Sequence, residues 1–425
     1  MREKSFSAPR GTADFFPPQS GRWSELEARI HRLAARFGYG EIRTPIFEAT
    51  DLFVRGVGEQ SDIVEKEMYT FEDRGARSLT LRPEWTAPVV RAVLEHGLLA
   101  LAPLRLYYIG PIFRYERPQK GRYRQSHQFG IECFGFAGPE ADVEVISLAW
   151  ELVAQYRIDD AVLHVNSIGD AACRPIYRNA LLEHFAPHLS ALSDDARRRI
   201  ERNPLRLLDS KDPADLPYVE SAPVFESFLC AACREHFDAV KSYLELAKIP
   251  FVADPRIVRG LDYYGKTVFE ITSGVLGAQS SVCGGGRYDD LVASLGGPDV
   301  PAVGFALGLE RFLMILAAQG DGGEPPRRGI QAVALGAQAR TALVPIVAEL
   351  RRRLDTPTYV DYQDRKLLAH LKIADRNRAR YALIVGSEEL AAGEAVLRDL
   401  QTRSDRRLPL VPGGVLVELL VEATA

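Results

Sequence analysis

The sequence predicts an α+β chain of two or three domains. Two alternating strands joined by a cationic loop occupy residues 104–134, a helical and charged stretch runs over residues 169–254, and residues 330–385 follow a strand–helix–strand rhythm. At 425 residues the chain is too long for one ordinary core. Hydrophobic residues at 46% and charged residues at 26% match a globular protein and exclude a chain kept disordered by its composition.

Met1 to Ser5 leads into no apolar stretch, and no long apolar run is free of charge, so neither a secretory signal nor a membrane span is expected. Five cysteines, Cys133, Cys173, Cys230, Cys233 and Cys283, are few and odd in number. They argue for a reducing cytoplasm rather than a disulfide framework. A net charge of −4 supplies no global basic field for nucleic acid, but local patches decide that question.

Residues 24–37 read as an amphipathic helix, with Leu26, Ile30, Leu33 and Phe37 on one stripe and Ser24 and Glu27 at capping-box spacing. An extended segment, residues 41–46, follows; Pro45 places it at an edge or an interface. Residues 78–82 read as a strand that stops at Pro83, and Glu84, Trp85 and Thr86 turn into a helix carrying Val89, Val90 and Val93. On this segment alone Thr86 is an N-cap with Pro88 just inside.

The hairpin is more informative. Arg114 and Glu116 share one face of the first strand, opposite Phe113 and Tyr115. In the second, Gln128, Gly130 and Glu132 share a face, and Phe129, Ile131 and Cys133 turn the other way. Gly130 leaves room for something to lie close to the backbone. The loop between them holds Arg117, Lys120, Arg122 and Arg124 with no acid among them. A half-exposed sheet explains the alternation, but that loop beside an Arg/Glu/Gln floor suits a phosphate-bearing ligand above an amino-bearing one.

Residues 141–156 form a helix buried through Val145, Leu148, Ala149, Leu152 and Val153. Residues 169–255 read as an inserted helical module. Its Cys230-Ala231-Ala232-Cys233 with His236 supplies at most three metal ligands, and Cys173 and His184 are distant candidates for a fourth. Two cysteines in a helical stretch are read as packing residues, and no metal site is assigned.

Arg259-Gly260-Leu261-Asp262-Tyr263-Tyr264 then concentrates polar donors just before a glycine-rich turn, Cys283 to Asp289. Residues 267–271 and 303–307 read as strands, the latter running into a helix buried through Leu309, Phe312, Leu313 and Leu316. Arg311 opposes the macrodipole at that helix start, which favours a ligand-facing role. Residues 320–329 have the composition of a linker. Strands at 330–335, 359–362 and 381–385 alternate with helices at 341–354 and 365–380, the pattern of a small α/β domain with a parallel sheet. The basic residues of 364–380, by themselves, make a solvated helix face.

Together these stretches resemble the histidyl-tRNA synthetases, class II aminoacyl-tRNA synthetases, over nearly the whole chain. The resemblance rests on Arg10 to Asp14, Pro45 in the motif 1 region, and residues 113–132 as motif 2. It rests further on residues 259–264 as the histidine-specific signature and Gly308 to Arg311 as motif 3. Trp85 departs from the family, which carries a small residue between that Glu and Thr.

The resemblance implies a class II antiparallel sheet with flanking helices, a helical insertion and a C-terminal α/β anticodon-binding domain. The corresponding expectation is a catalytic core at 1–168 and 255–319, an insertion at 169–254, a linker at 320–329 and an anticodon-binding domain at 330–425. The implied activity joins L-histidine to ATP as histidyl-adenylate, releasing pyrophosphate, and passes histidine to the 3′ end of tRNA(His). That chemistry needs positioning and charge stabilisation but no protein nucleophile.

By the same resemblance, Arg114 and Arg259 would be catalytic, gripping the α-phosphate and the substrate carboxylate. Glu116, Arg122, Tyr123 and Arg311 join Arg114 in binding ATP, with Mg²⁺ on the phosphates. Glu84, Thr86 and Gln128 would accept the α-amino group, Glu132 and Tyr264 would read the imidazole, and Tyr263 and Tyr288 would complete the wall. Gln119, Lys120, Arg124, Arg376 and Arg378 would meet tRNA. A cytoplasmic homodimer built around Pro45 is implied, with no membrane partner. The alternative is a non-catalytic paralogue, the regulatory subunit of ATP phosphoribosyltransferase. Such a chain is expected to lack the C-terminal domain and to degrade the residue 259–264 signature, and this one retains both.

Overall fold

The computed structural model describes residues 6–59, 61–117, 121–210, 212–258, 261–320, 327–410 and 418. The chain divides into two compact units, Met1–Asp321 and Gly322–Ala425. In the first, an eight-stranded sheet runs in the order Gly40–Glu41, Leu104–Phe113, Gln125–Phe134, Ala302–Gly308, Ser281–Arg287, Gly265–Ser273, Ala161–Ser167, Val252–Ala253. Its long strands pair antiparallel, and the two-residue strands at the edges pair parallel.

Period-two alternation gives this sheet two apolar faces. Phe129, Ile131, Phe269, Ile271 and Phe305 enter one core with the helices Gln19–Arg36, Pro139–Gln155 and Ala231–Leu246. Tyr108, Phe134, Tyr264, Val268 and Tyr288 enter another with the helix Thr86–Glu95 and the helix Cys173–Phe185. Phe237, Val240 and Leu244 of Ala231–Leu246 lie in the first of these cores. That helix, read from sequence as part of the insertion, therefore packs with the sheet.

Two local expectations are corrected. The first helix starts at Gln19, not Ser24, and the Ser24 hydroxyl donates to the Ser20 carbonyl at 3.2 Å from within it. Trp23 extends the buried stripe one turn toward the N-terminus, which outweighs the capping-box spacing. The glycine-rich run at 283–287 is the strand Ser281–Arg287 rather than a turn. A Cβ at Gly286 would stand 2.6 Å from the Thr267 carbonyl, and one at Gly285 would strike the Gly304 carbonyl. These glycines let neighbouring strands approach closely.

A smaller sheet orders Phe47–Ala49, Ser78–Leu81 and Tyr69–Glu72. The second unit holds a five-stranded sheet in the order Thr358–Val360, Ile330–Ala334, Tyr381–Val385, Glu394–Asp399, Asp405–Pro409. The first three are parallel, as the α/β rhythm predicts, but the last two turn antiparallel, so the sheet is mixed. Arg398, Asp399, Asp405, Arg406 and Arg407 hide these strands in the sequence. Asp405–Pro409 is the edge strand, where charge is tolerated, and Glu394–Asp399 pairs on both sides. Within the predicted linker, residues 321–326 lie outside the described residues.

Arg287 and Asp142, both fully buried, join the central sheet to the helix Pro139–Gln155. Arg287 Nε lies 3.2 Å from each Asp142 oxygen, and its two terminal nitrogens donate to the Phe136 and Gly138 carbonyls at 2.8 and 2.9 Å. Burial works to raise the Asp142 carboxyl, but His236 and Arg287 hold it below its ordinary value. Asp142→Ala leaves Arg287 with Asp289, which Lys266 already shares. We expect that variant to lose about 3–5 kcal/mol of stability in urea denaturation. A loss below about 1 kcal/mol would show that the pair does not hold helix to sheet.

Candidate active site

Pro83 ends the strand Ser78–Leu81, and the helix Thr86–Glu95 begins three residues later. Thr86 is not its N-cap. The Glu84 carboxylate does that work, accepting the Thr86 and Ala87 amides at 2.6 and 2.8 Å. Burial raises the Glu84 carboxyl against the pull of those two amides and of Arg114. This leaves the Thr86 hydroxyl free to donate to Glu132 Oε1 at 2.8 Å.

Glu132 is buried at the centre of a hydroxyl cluster. Oε1 also accepts Tyr108 at 3.2 Å, and Oε2 accepts the Tyr288 hydroxyl. Burial pushes its carboxyl up to about 8, against the pull of Tyr288 and Thr86. Gly304 makes this possible, since a Cβ there would collide with Glu132 Oε2. The room that Gly130 leaves is filled by the Tyr108 hydroxyl and the Phe305 carbonyl rather than by a ligand.

Trp85, the departure noted above, is a buried shelf. It stacks on Tyr108 with ring centroids 4.6 Å apart at 10°, and the Arg82 guanidinium lies 3.4 Å over its other face. Gly110 admits it: a Cβ there would lie 2.8 Å from the indole. Arg82 in turn donates to the Pro111, Thr44 and Pro45 carbonyls at 2.8, 3.0 and 3.2 Å. Burial lowers the Arg82 guanidinium to about 10.

In front of this wall opens a cavity of about 390 Å³. Glu84, Thr86, Arg114, Gln128, Tyr263 and Tyr264 line it, as do Glu116, Arg122, Tyr123 and Arg311. Glu132 and Tyr288 sit behind its lining, reached through Thr86 and Tyr108. Gln128 Oε1 is buried without a hydrogen-bond partner among the described residues. Arg114 Nε donates to the Pro83 carbonyl at 2.8 Å, and Arg122 Nε lies 3.3 Å from Glu116.

Arg311 bridges the Gly121 and Ser281 carbonyls at 2.9 Å each. Burial lowers its guanidinium, and the positive charges of Arg122 and Arg114 add to the effect. Three crowded arginines are an environment that an anion relieves. Next to Arg311, Glu310 is buried and accepts the His127 amide and ring nitrogen at 2.9 Å.

Some predicted residues fall elsewhere. Arg259, Gln119 and Lys120 lie outside the described residues. Arg124 stacks its guanidinium 3.9 Å over Tyr115 and donates from its backbone to the Gly11 carbonyl at 2.7 Å. Arg376 and Arg378 belong to the second unit, Arg376 exposed at the end of Leu367–Arg376 and Arg378 half-buried at positive φ. Sequence reasoning missed Tyr108, Glu67 and Glu270, all in the cavity wall. Tyr108 had a signal, because it pairs directly across the hairpin with Gly130.

Comparison with known proteins agrees with this geometry. A family model described as Histidyl-tRNA synthetase matches residues 11–312, and one described as Anticodon binding domain matches residues 331–411. The Histidine–tRNA ligase of Moorella thermoacetica is 50% identical over 411 residues, covering 95% of this chain and 96% of that protein. That of Desulfitobacterium hafniense (strain DSM 10664 / DCB-2) is 48% identical over 404 residues, 95% of each chain. The crystal structure of apo S. aureus histidyl-tRNA synthetase matches with a TM-score of 0.79 at 35% identity, over 99% of this chain and 100% of that one. A regulatory paralogue is not favoured by relatives of this kind. With matches that run through both units, the chain belongs to the histidyl-tRNA synthetase family, class II enzymes that ligate histidine to tRNA.

Proposed function

We propose that the cavity of the first unit is where L-histidine and ATP are joined and where histidine then passes to tRNA(His). The observation that carries this reading is the make-up of one cavity wall. Acceptors for an ammonium group, Gln128 Oε1 and Glu84, stand in the same wall as Arg114, Arg122 and Arg311. A zwitterionic amino acid beside a polyphosphate satisfies both sets.

In this reading the α-amino group of histidine meets Gln128, Glu84 and Thr86. Arg114, with Arg259, holds the carboxylate against the α-phosphate. The imidazole N–H reaches Glu132 by taking the place of the Tyr108 hydroxyl, the longer of the two bonds on Oε1. Tyr264, Tyr263 and Tyr288 enclose the ring; Tyr263 already packs on Tyr264 and Tyr288 at centroid distances of 4.7 and 5.7 Å.

Arg122 and Arg311 hold the nucleotide with Glu116 and Tyr123 beside them. Mg²⁺ bound with the phosphates supplies charge neutralisation there. The hard oxygen donors Glu116 and Glu270 in the cavity wall fit such a cation. No step requires a protein nucleophile; the substrate carboxylate attacks, and the arginines stabilise the charge that develops.

The remaining assignments rest on smaller features. Gln119, Lys120 and Arg124 meet the acceptor end of tRNA(His), and Arg376 and Arg378 of the 330–425 domain contact its anticodon arm. The core comprises 1–168 and 255–319, with 169–254 inserted and 320–329 as linker. A homodimer through the motif 1 region is supported by exposed Ile46, Phe47 and Phe71, since large apolar side chains grouped on one surface favour an interface. None of the five cysteines is in a disulfide, which suits a reducing cytoplasm. Among the described residues no helix is long and apolar enough to cross a membrane.

Purified protein is expected to exchange pyrophosphate into ATP only when L-histidine is present. Histidine binding with no exchange would instead select the regulatory reading. Gln128→Leu removes the unpartnered acceptor, and the KM for histidine should rise about tenfold or more while that for ATP stays put. Equal rises in both would show that Gln128 does not meet the amino acid.

The Glu132 carboxyl makes a pH-dependent contribution to stability. Its folded value of about 8 lies above its ordinary 4.5, so the native state keeps a proton that the unfolded chain releases. Stability therefore falls as pH rises between those values. Relative to Glu132→Gln, the unaltered protein should lose on the order of a few kcal/mol between about pH 5 and about pH 8. Parallel stability–pH curves for the two proteins would contradict the protonated carboxyl.

A further inference from the structure

Away from the cavity, Asp170, Cys173, Cys230 and Cys233 bring one ligand atom each to within 4.8 Å of one another. We propose that these four side chains bind a structural Zn²⁺ ion that closes the base of the inserted helical segment. The two ends of the site are built alike. Asp170-Ala171-Ala172-Cys173 leads into the helix Cys173–Phe185, and Cys230-Ala231-Ala232-Cys233 leads into Ala231–Leu246. Each x-Ala-Ala-Cys turn offers two ligands three residues apart at a helix start, the spacing that a tetrahedral site takes from a turn.

The hydrogen bonding prepares the ligands. Asp170 Oδ1 accepts the Ala172 and Cys173 amides at 3.0 and 3.1 Å, which leaves Oδ2 directed into the cluster, 3.8 Å from Cys230 Sγ. Cys173 Sγ receives the Cys230 amide at 3.1 Å, and Cys230 Sγ receives the Cys233 amide at 3.5 Å. Backbone N–H donors on Cys173 and Cys230 favour the thiolate that binds metal, whereas burial opposes it at Cys173 and Cys233 until a cation neutralises the cluster. Zn–S bonds of about 2.3 Å set tetrahedral sulfurs about 3.8 Å apart, so a small contraction completes the geometry.

Gly169, at φ 58°, makes the approach possible, since a Cβ there would stand 2.5 Å from Cys173 Cβ. The two histidines considered from sequence are engaged elsewhere. His236 Nε2 lies 3.3 Å from Asp142, and His184 Nε2 meets the Tyr218 carbonyl at 2.9 Å.

The donor set selects the ion. Three thiols and one carboxylate suit Zn²⁺ over the hard cations Mg²⁺ and Ca²⁺, and four protein ligands leave no open position for catalysis. A single disulfide would strand the third sulfur and Asp170, whereas one ion engages all four. The two turns stand 57 residues apart between Cys173 and Cys230. The Gly169 carbonyl, next to the site, accepts the Lys266 amide at 2.7 Å, so the ion would tie the insertion to the sheet strand Gly265–Ser273.

The test uses the full-length chain purified under thiol reductant without chelators, with metal content read by plasma mass spectrometry. One zinc per chain is expected, falling to background in Cys173→Ser and Cys230→Ser. Asp170→Cys should keep the zinc and release it to a chelator about tenfold more slowly. The same zinc content in both serine variants would place the ion elsewhere and overturn the proposal. Where those variants are insoluble, Co²⁺ added to the unaltered metal-stripped protein decides. Thiolate-to-cobalt charge transfer with intense tetrahedral bands supports the site, and weak octahedral bands or no uptake overturns it.

Discussion

The carboxyl of Glu132 accepts hydroxyls from Thr86, Tyr108 and Tyr288, which arrive from a helix start, the neighbouring strand and the turn after Ser281–Arg287. A buried carboxyl is costly unless its oxygens are satisfied, and three converging hydroxyls are the least disruptive way to satisfy them. Much of the surrounding sequence follows from that constraint. Gly304 keeps Oε2 clear, Gly130 admits the Tyr108 ring, and Glu84 caps the helix so that Thr86 can turn inward. The cavity wall is thus set by one acidic group that is not itself part of the lining.

The two charged regions of the first unit obey opposite rules. Arg287 and Asp142 neutralise each other in a fully buried pair, with Asp289 and two backbone carbonyls taking the remaining guanidinium protons. They have nothing left to offer a ligand, and their part is to join sheet and helix. Around the cavity the balance is left incomplete. Arg114, Arg122 and Arg311 lie close enough to depress Arg311, and Gln128 Oε1 has no partner among the described residues. In the proposed reading it is substrate that completes the hydrogen bonding of these groups, the crowding of the arginines and the unpartnered amide oxygen lying in one wall.

The legibility of this protein varied with the range of the interactions involved. The hairpin alternation, the helix stripes of Val145, Leu148 and Leu152, and the start of the α/β rhythm were readable because each depends on neighbours two to four residues away. The antiparallel strands Glu394–Asp399 and Asp405–Pro409 were not, since the alternation of the first is confined to Ala395 and Leu397 between charged residues and the second buries Leu408 alone. Glu84 as a helix cap was missed although its partners are two and three residues away, because Thr86 is the better N-cap residue type at that turn. The seat of Tyr108 on Gly130 follows from the hairpin register rather than from spacing along one strand.

By itself the sequence determined the family, the identity of the polar groups and the order of the elements. Residue types at short, repeated spacings carry that information without reference to three dimensions. Only the tertiary structure decided which of those groups face the cavity and which stand behind it. It also decided that Trp85 is a shelf between Tyr108 and Arg82, and that Asp170 and Cys173 meet Cys230 and Cys233. Those outcomes depend on contacts between residues tens of positions apart, where burial and packing, rather than local propensity, choose the partner.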